Sequence, residues 1–174
     1  MVIEAARQAP GQTAGLILVD GSQFSAVMEP VLIARFATPV GYTKFVTALF
    51  DDMFTAKGDK TVVASVIERA ARLPRSIGEK MLTDLLRYDV WRLTGSLACL
   101  RVPVMALQST FSNEKRERTT MRHGQTTPYL DMLRGSGASV RVAIIEDAGH
   151  FPQLDESARS NAAIDGFLRA MQAI

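Results

Sequence analysis

The stretch that decides the fold runs from Val140 to Leu168 and reads VRVAIIEDAGHFPQLDESARSNAAIDGFL. It opens on an apolar run, Val140 to Ile145, that suits a strand with both faces buried. Asp147-Ala148-Gly149 closes the run and His150 follows at once. After Phe151-Pro152 comes an amphipathic helix, expected over Asp155 to Ile174. Its inner stripe is expected to be Ala158, Ala162, Ile164, Phe167, Leu168 and Met171. Asp155 is its expected N-cap and Glu156 its first-turn acid, while Asp147 is expected to cap or brace the turn. The histidine therefore stands just beyond the carboxyl end of a strand, where open α/β sheets do their chemistry. Gly149 takes a side chain out of the turn and lets the imidazole project. A pKa near neutrality suits that ring to moving protons. A lone loop histidine would be read as structural; the strand, the Gly-His turn and the helix together favour a base.

Upstream, Val2 to Ala9 reads as a helix stopped by Pro10-Gly11, with Val2, Ile3, Ala6 and Ala9 on one face. AGLILVDGS is a short apolar run closed by Asp20-Gly21-Ser22, the pattern of a strand in a parallel sheet. From Gln23 to Thr94 the period becomes helical, with about four helices broken at Pro39-Val40-Gly41, Lys57-Gly58-Asp59 and Leu73-Pro74. Met28, Phe36, Phe45, Phe50, Met53, Phe54 and Met81 of that segment form either a plain core or the lining of an apolar pocket. VPVMALQS is a second buried strand, Thr110 to Gln125 a polar loop, and TTPYLDMLRG a short helix capped by Thr126 or Thr127 and stopped by Gly135. The order predicts an α/β fold of about three parallel strands with right-handed crossovers. Three segments follow: residues 1–22 and 95–174 as the sheet-bearing core, and 23–94 as a helical insert.

The composition narrows the function. With 174 residues, 47% hydrophobic and 22% charged, the chain reads as globular. A net charge of +2 is too small to imply a nucleic-acid partner, and EKRERTTMRH mixes its bases with glutamates, as a solvated loop does. The single cysteine, Cys99, excludes an internal disulfide framework and fits a reducing, cytoplasmic compartment; its apolar surroundings suggest a buried structural thiol. No run reaches the roughly 18 apolar residues of a membrane span, and the first residues do not read as a signal peptide. Two isolated histidines give no metal-ligand spacing, no glycine-rich phosphate loop is present, and no cofactor is expected. His123, in MRHGQTTPY, lacks a strand-mouth context and reads as a surface residue.

IIEDAGHFPQLDESARSNAAIDGFL resembles the C-terminal signature of the α/β-hydrolase fold superfamily, in which a Gly-His pair after the last strand supplies the histidine of a nucleophile-His-acid triad. LRVPVMALQS is similar to the strand that precedes it there. AARQAPGQTAGLILVDGS is similar to the segment that begins with the nucleophile helix, and the helical insert falls where such proteins carry a cap or lid. The resemblance implies a partial α/β-hydrolase fold and cofactor-independent cleavage of an ester, lactone or related bond in a small substrate of apolar character.

The nucleophile elbow of that superfamily, Gly-x-Ser-x-Gly on a strand-turn-helix, is not in this sequence. DGSQF, TGSLA and RGSGA each lack the second glycine at the right spacing or the strand before it. The resemblance implies that the chain begins a few residues past the nucleophile, and that it is inactive alone. An incompletely read reading frame and a degenerate remnant are both open, and a non-catalytic ligand- or protein-binding module is the alternative. Self-association through the exposed sheet edge is the accompanying partner expectation. For the triad acid, most members use an aspartate in the loop here written TFSNEKRERTT, where Ser112-Asn113 replaces it and Glu114 is adjacent. Others, some haloalkane dehalogenases among them, place the acid at the end of the earlier strand, which is the position of Asp20. Asp20, Glu114 and neither all stand open.

Overall fold

The computed structural model describes residues 2–56, 58–113 and 117–172. It divides into two compact units, Met1–Ser22 with Thr94–Ile174, and Gln23–Leu93.

In the first unit, α1 (Val2–Gln8) leads through a short 3-10 turn, Pro10–Gln12, into β1 (Leu16–Val19). After α6 (Leu93–Ala98) come β2 (Val104–Gln108), β3 (Thr110–Ser112), β4 (Arg118–Thr120), α7 (Pro128–Arg134), β5 (Val140–Ile144), α8 (Pro152–Asp155) and α9 (Ser157–Gln172). The parallel sheet has the order β1-β2-β5, with Leu16 opposite Val104 and Val104 opposite Val140. All five residues of β2 are buried, which is why its first four, Val104 to Leu107, are a continuous apolar run rather than an alternating one. Met105 and Leu107 point to one face of the sheet, where Ile145, Ala148 and Phe167 close over them.

Several local expectations are corrected. The segment read as a polar loop contains an antiparallel ribbon, in which β3 pairs with β4 and Ser112 stands opposite Arg118. Its basic run is not wholly solvated: Met121 is fully buried, and the Arg118 side chain is only 14% exposed. Cys99 is exposed rather than buried, because Leu97 and Leu100 take the inward positions around it. Helix α9 turns Ser160, Ala163, Ile164, Phe167 and Met171 inward, while Ala158, Ala162 and Leu168 face out. The long helix starts later than expected, at Ser157, after the separate turn α8 ends at Asp155. Asp155 accordingly does not begin the long helix; its carboxylate accepts from the Gly149 N–H at 2.7 Å. Thr127 is the cap of α7, accepting from Leu130 N at 3.2 Å.

The second unit is built of α2 (Met28–Phe36), α3 (Pro39–Asp51), α4 (Lys60–Ala71) and α5 (Arg75–Trp91). Pro39-Val40-Gly41 is not a break but the first turn of α3: Pro39 needs no N–H there, and the Thr38 hydroxyl accepts from Gly41 N at 3.0 Å. Leu32, Phe36, Phe45 and Leu86 form the core, with Phe24, Met28 and Tyr42 packed on it. Phe36, Phe45 and Met28 are thus core residues, whereas Phe50 lines a cavity of about 160 Å³ with Tyr42, Val46, Ile67, Ala70 and Leu73. Met81 is exposed. Asp89 is buried on α5 and accepts from the Phe24 N–H at 2.9 Å; burial pushes its carboxyl above the ordinary range. Among the described residues, no helix is long and apolar enough to cross a membrane.

Leu107 sits fully buried in the central strand with neighbours on every side. Leu107→Ala is expected to cost about 2–5 kcal/mol by urea denaturation followed by circular dichroism. Asp59→Ala, which removes an exposed cap accepting from Thr61 N and Val62 N, is expected to lower the thermal midpoint followed by circular dichroism.

Candidate active site

Strand β1 delivers Asp20 to the carboxyl end of the sheet. The Asp20 N–H donates to Leu107 O at 2.7 Å, the last rung of the β1–β2 ladder, and then the backbone turns at a φ of 45°. An aspartate tolerates that left-handed region better than most side chains. Gly21 follows because Tyr129 packs against its Cα; any side chain there would collide with the ring.

Strand β2 ends beside it at Gln108, and the next two backbone donors, Ser109 N and Thr110 N, leave the parallel ladder. They take the carboxylate instead. Oδ1 of Asp20 accepts from Ser109 N at 2.8 Å and from Thr110 N at 2.7 Å. Oδ2 accepts from the Thr110 hydroxyl and stands 2.9 Å from Nδ1 of His150. The Ser109 hydroxyl lies 3.0 Å from Oδ1 and 2.7 Å from Gly149 O; its single proton goes to the nearer carbonyl and ties β2 to the histidine turn. Gln108 adds a second tie, its Nε2 donating to Gly21 O at 2.9 Å and to Thr110 O at 2.8 Å. Those two bonds fix the orientation of the amide and leave its buried Oε1 without a partner among the described residues.

The turn carrying His150 is held from both sides. Asp155 accepts from Gly149 N, and the Ser160 hydroxyl donates to Pro152 O at 2.9 Å. The ring packs edge-on against Phe151, with centroids 5.1 Å apart. The Asp20 side chain is 1% exposed and that of His150 24%, so the carboxylate is sealed while the ring keeps an open edge. Burial alone would raise the Asp20 carboxyl. The bonds from His150, the Thr110 hydroxyl and the Ser109 and Thr110 amides outweigh it and hold the group below its usual value, ionised at neutral pH. An ionised carboxylate only accepts, so Nδ1 of His150 is the donor in this bond and Nε2 is the ring nitrogen on the far side from Asp20. Nε2 makes no hydrogen bond to any described residue.

Arg118 enters from β4. Its Nη1 donates to the Thr110 hydroxyl at 2.7 Å and lies 3.5 Å from Asp20 Oδ2 and 3.4 Å from His150 Nδ1.

The structure thus brings together His150 and Asp20, far apart in sequence. Glu114 lies outside the described residues. His123 is exposed, and its N–H donates to Glu146 at 2.6 Å. Asp147, at a φ of 60°, pairs with Arg122 at 2.7 Å. Sequence reasoning missed Gln108, Ser109, Thr110 and Arg118. Gln108-Ser109-Thr110 did carry a signal, three polar residues closing an apolar strand at the mouth of the sheet. Arg118 carried none, because only the β3–β4 pairing brings it home. Among the described residues no three His, Cys, Asp or Glu side chains gather closely enough to hold a metal ion.

The same architecture occurs in solved enzymes. Est816, an N-acyl homoserine lactone degrading enzyme, superposes with a TM-score of 0.65 at 18% identity over 95% of this chain and 62% of its own. A thermophilic esterase gives 0.62 at 16% identity, over 95% of this chain and 60% of its own. The enol-lactonase from Burkholderia xenovorans LB400 gives 0.56 at 15% identity, over 96% and 60%. No family model and no curated protein sequence matches the chain. The chain has a partial α/β-hydrolase fold, with three parallel strands flanked by helices and a helical insert between β1 and β2. It spans 60–62% of the length of these three enzymes.

The depressed carboxyl of Asp20 fixes a pH dependence. The unfolded chain holds this proton up to about pH 4, and the folded chain releases it lower. The carboxylate therefore stabilises the fold fully above that pH, and the contribution is lost as pH falls through the folded value. Asp20→Asn is expected to flatten the acid limb of a stability-against-pH curve measured by urea unfolding between neutrality and pH 3.

Proposed function

We propose that the chain carries the acid–base half of a hydrolase active site acting on an ester or lactone of apolar character. Asp20 is the acid, His150 the base, and residues 23–93 the cap. The observation that supports this reading is the bond between a buried, ionised carboxylate and Nδ1 of a ring whose Nε2 is unoccupied, at the carboxyl ends of the strands.

In the proposed reaction, Nε2 takes the proton of an attacking hydroxyl or thiol as that oxygen or sulfur bonds to the substrate carbonyl. The imidazolium, held by Asp20, returns the proton to the leaving oxygen as the ester bond breaks. Water then attacks the acyl intermediate, again giving its proton to Nε2, and the nucleophile recovers it as the acid product leaves. No described hydroxyl or thiol bonds to Nε2, so the proposal takes the nucleophile from sequence outside the described residues. The Ser109 and Thr110 hydroxyls are committed to Asp20 and Gly149. A reducing, cytoplasmic setting fits the exposed thiol of Cys99.

The test is hydrolysis of p-nitrophenyl esters and simple lactones. The 174 residues alone are expected to show no turnover above background. Expressed with the in-frame coding sequence that precedes it, the protein is expected to hydrolyse them. His150→Ala should then lower kcat by roughly 10³-fold or more, and Asp20→Asn by roughly 10²–10⁴. Turnover that survives His150→Ala contradicts the proposal, and no turnover even with the preceding sequence present contradicts it in favour of a binding module.

A further inference from the structure

The orientation of Asp20 is already over-determined. Two backbone amides and the Thr110 hydroxyl hold its carboxylate without help. Arg118 nevertheless approaches the same oxygen that His150 uses, with a side chain only 14% exposed. What it brings to that oxygen is charge. A guanidinium has donors only and stays protonated, so it cannot take part in proton transfer. Its bond to the Thr110 hydroxyl occupies a lone pair there and sends the hydroxyl proton toward Asp20 Oδ2. The chain of donors therefore runs from Arg118 through Thr110 to the carboxylate, and from His150 to the same carboxylate. Both draw on one negative charge.

We propose that Arg118 is a positioning residue that sets how much of the Asp20 charge reaches His150. This rests on the reading of Asp20 and His150 as an acid–base pair. With the guanidinium in place, Oδ2 is a weaker acceptor for the Nδ1 proton, and a second positive charge on the ring meets a cation 3.4 Å away. An imidazolium formed during the reaction is then less well compensated and surrenders its proton readily to the leaving group. The basic run that looks like a solvated loop in sequence thus supplies the residue that tempers the base.

The test is proton and nitrogen NMR of the His150 ring in the 174-residue chain at neutral pH, reading the Nδ1 proton. Arg118→Met and Arg118→Gln both remove the charge, and Gln keeps a donor for Thr110. In both, the Nδ1 proton resonance is expected to move downfield as Oδ2 becomes a stronger acceptor. Arg118→Lys, which restores the charge, is expected to bring it back toward the parent position. A resonance that stays put in the neutral variants, or that broadens alike in all three, overturns the proposal and leaves Arg118 a structural residue. Loss of the native backbone spectrum in both neutral variants also overturns it, since the guanidinium would then be a requirement of folding. Absence of any Nδ1 proton bound to a carboxylate in the parent chain instead overturns the acid–base pair itself.

Discussion

The structure around the sheet mouth depends on one buried carboxylate. Asp20 is sealed from water, and an ionised group in that position is tolerable only if every lone pair finds a donor. The donors come from β2, from the β3–β4 ribbon and from the histidine turn, so one side chain gathers the ends of three strands. The arrangement holds each partner in turn. Ser109 spends its amide on Asp20 and its hydroxyl on Gly149 O, which sets the turn from which the ring projects. Charge and backbone are thereby solved together: the unpaired amides at the end of β2 are what make the carboxylate affordable.

That economy also explains the asymmetry of the pair. A carboxylate 1% exposed beside a ring 24% exposed gives a fixed acceptor on one side and an accessible ring edge on the other. No described residue hydrogen-bonds Nε2, while Phe151 packs edge-on against the ring. That asymmetry is what the proposed role of His150 as a base requires. Gln108 and the close contact of Gly21 with Tyr129 keep the segment after Asp20 from drifting.

Much of this was legible in the sequence where a short-range pattern carried it. The apolar runs of β1, β2 and β5 announced a parallel sheet, and Gly149-His150 announced a histidine at its mouth. Asp20 stood among the candidates because a strand end before Gly-Ser placed it at the mouth. The rest depended on pairings that sequence order does not encode. Arg118 becomes a site residue only through its register with Ser112, and Thr110 only because Asp20 bends back over β2. The inner stripe of α9 was misread because apolar character was taken for burial: Ser160 faces inward, donating to Pro152 O, while Leu168 faces out. Asp155 ends α8, where its carboxylate accepts from the Gly149 N–H.

A double-mutant cycle between Asp20 and His150 tests the central claim most directly. Stability would be measured by urea denaturation at neutral pH for the parent, Asp20→Asn, His150→Ala and the double variant. If the two side chains share the hydrogen bond on which the site is built, the losses are non-additive, with a coupling of roughly 0.5–3 kcal/mol. Additivity within about 0.3–0.5 kcal/mol would mean that the ring and the carboxylate do not interact, and would contradict the account.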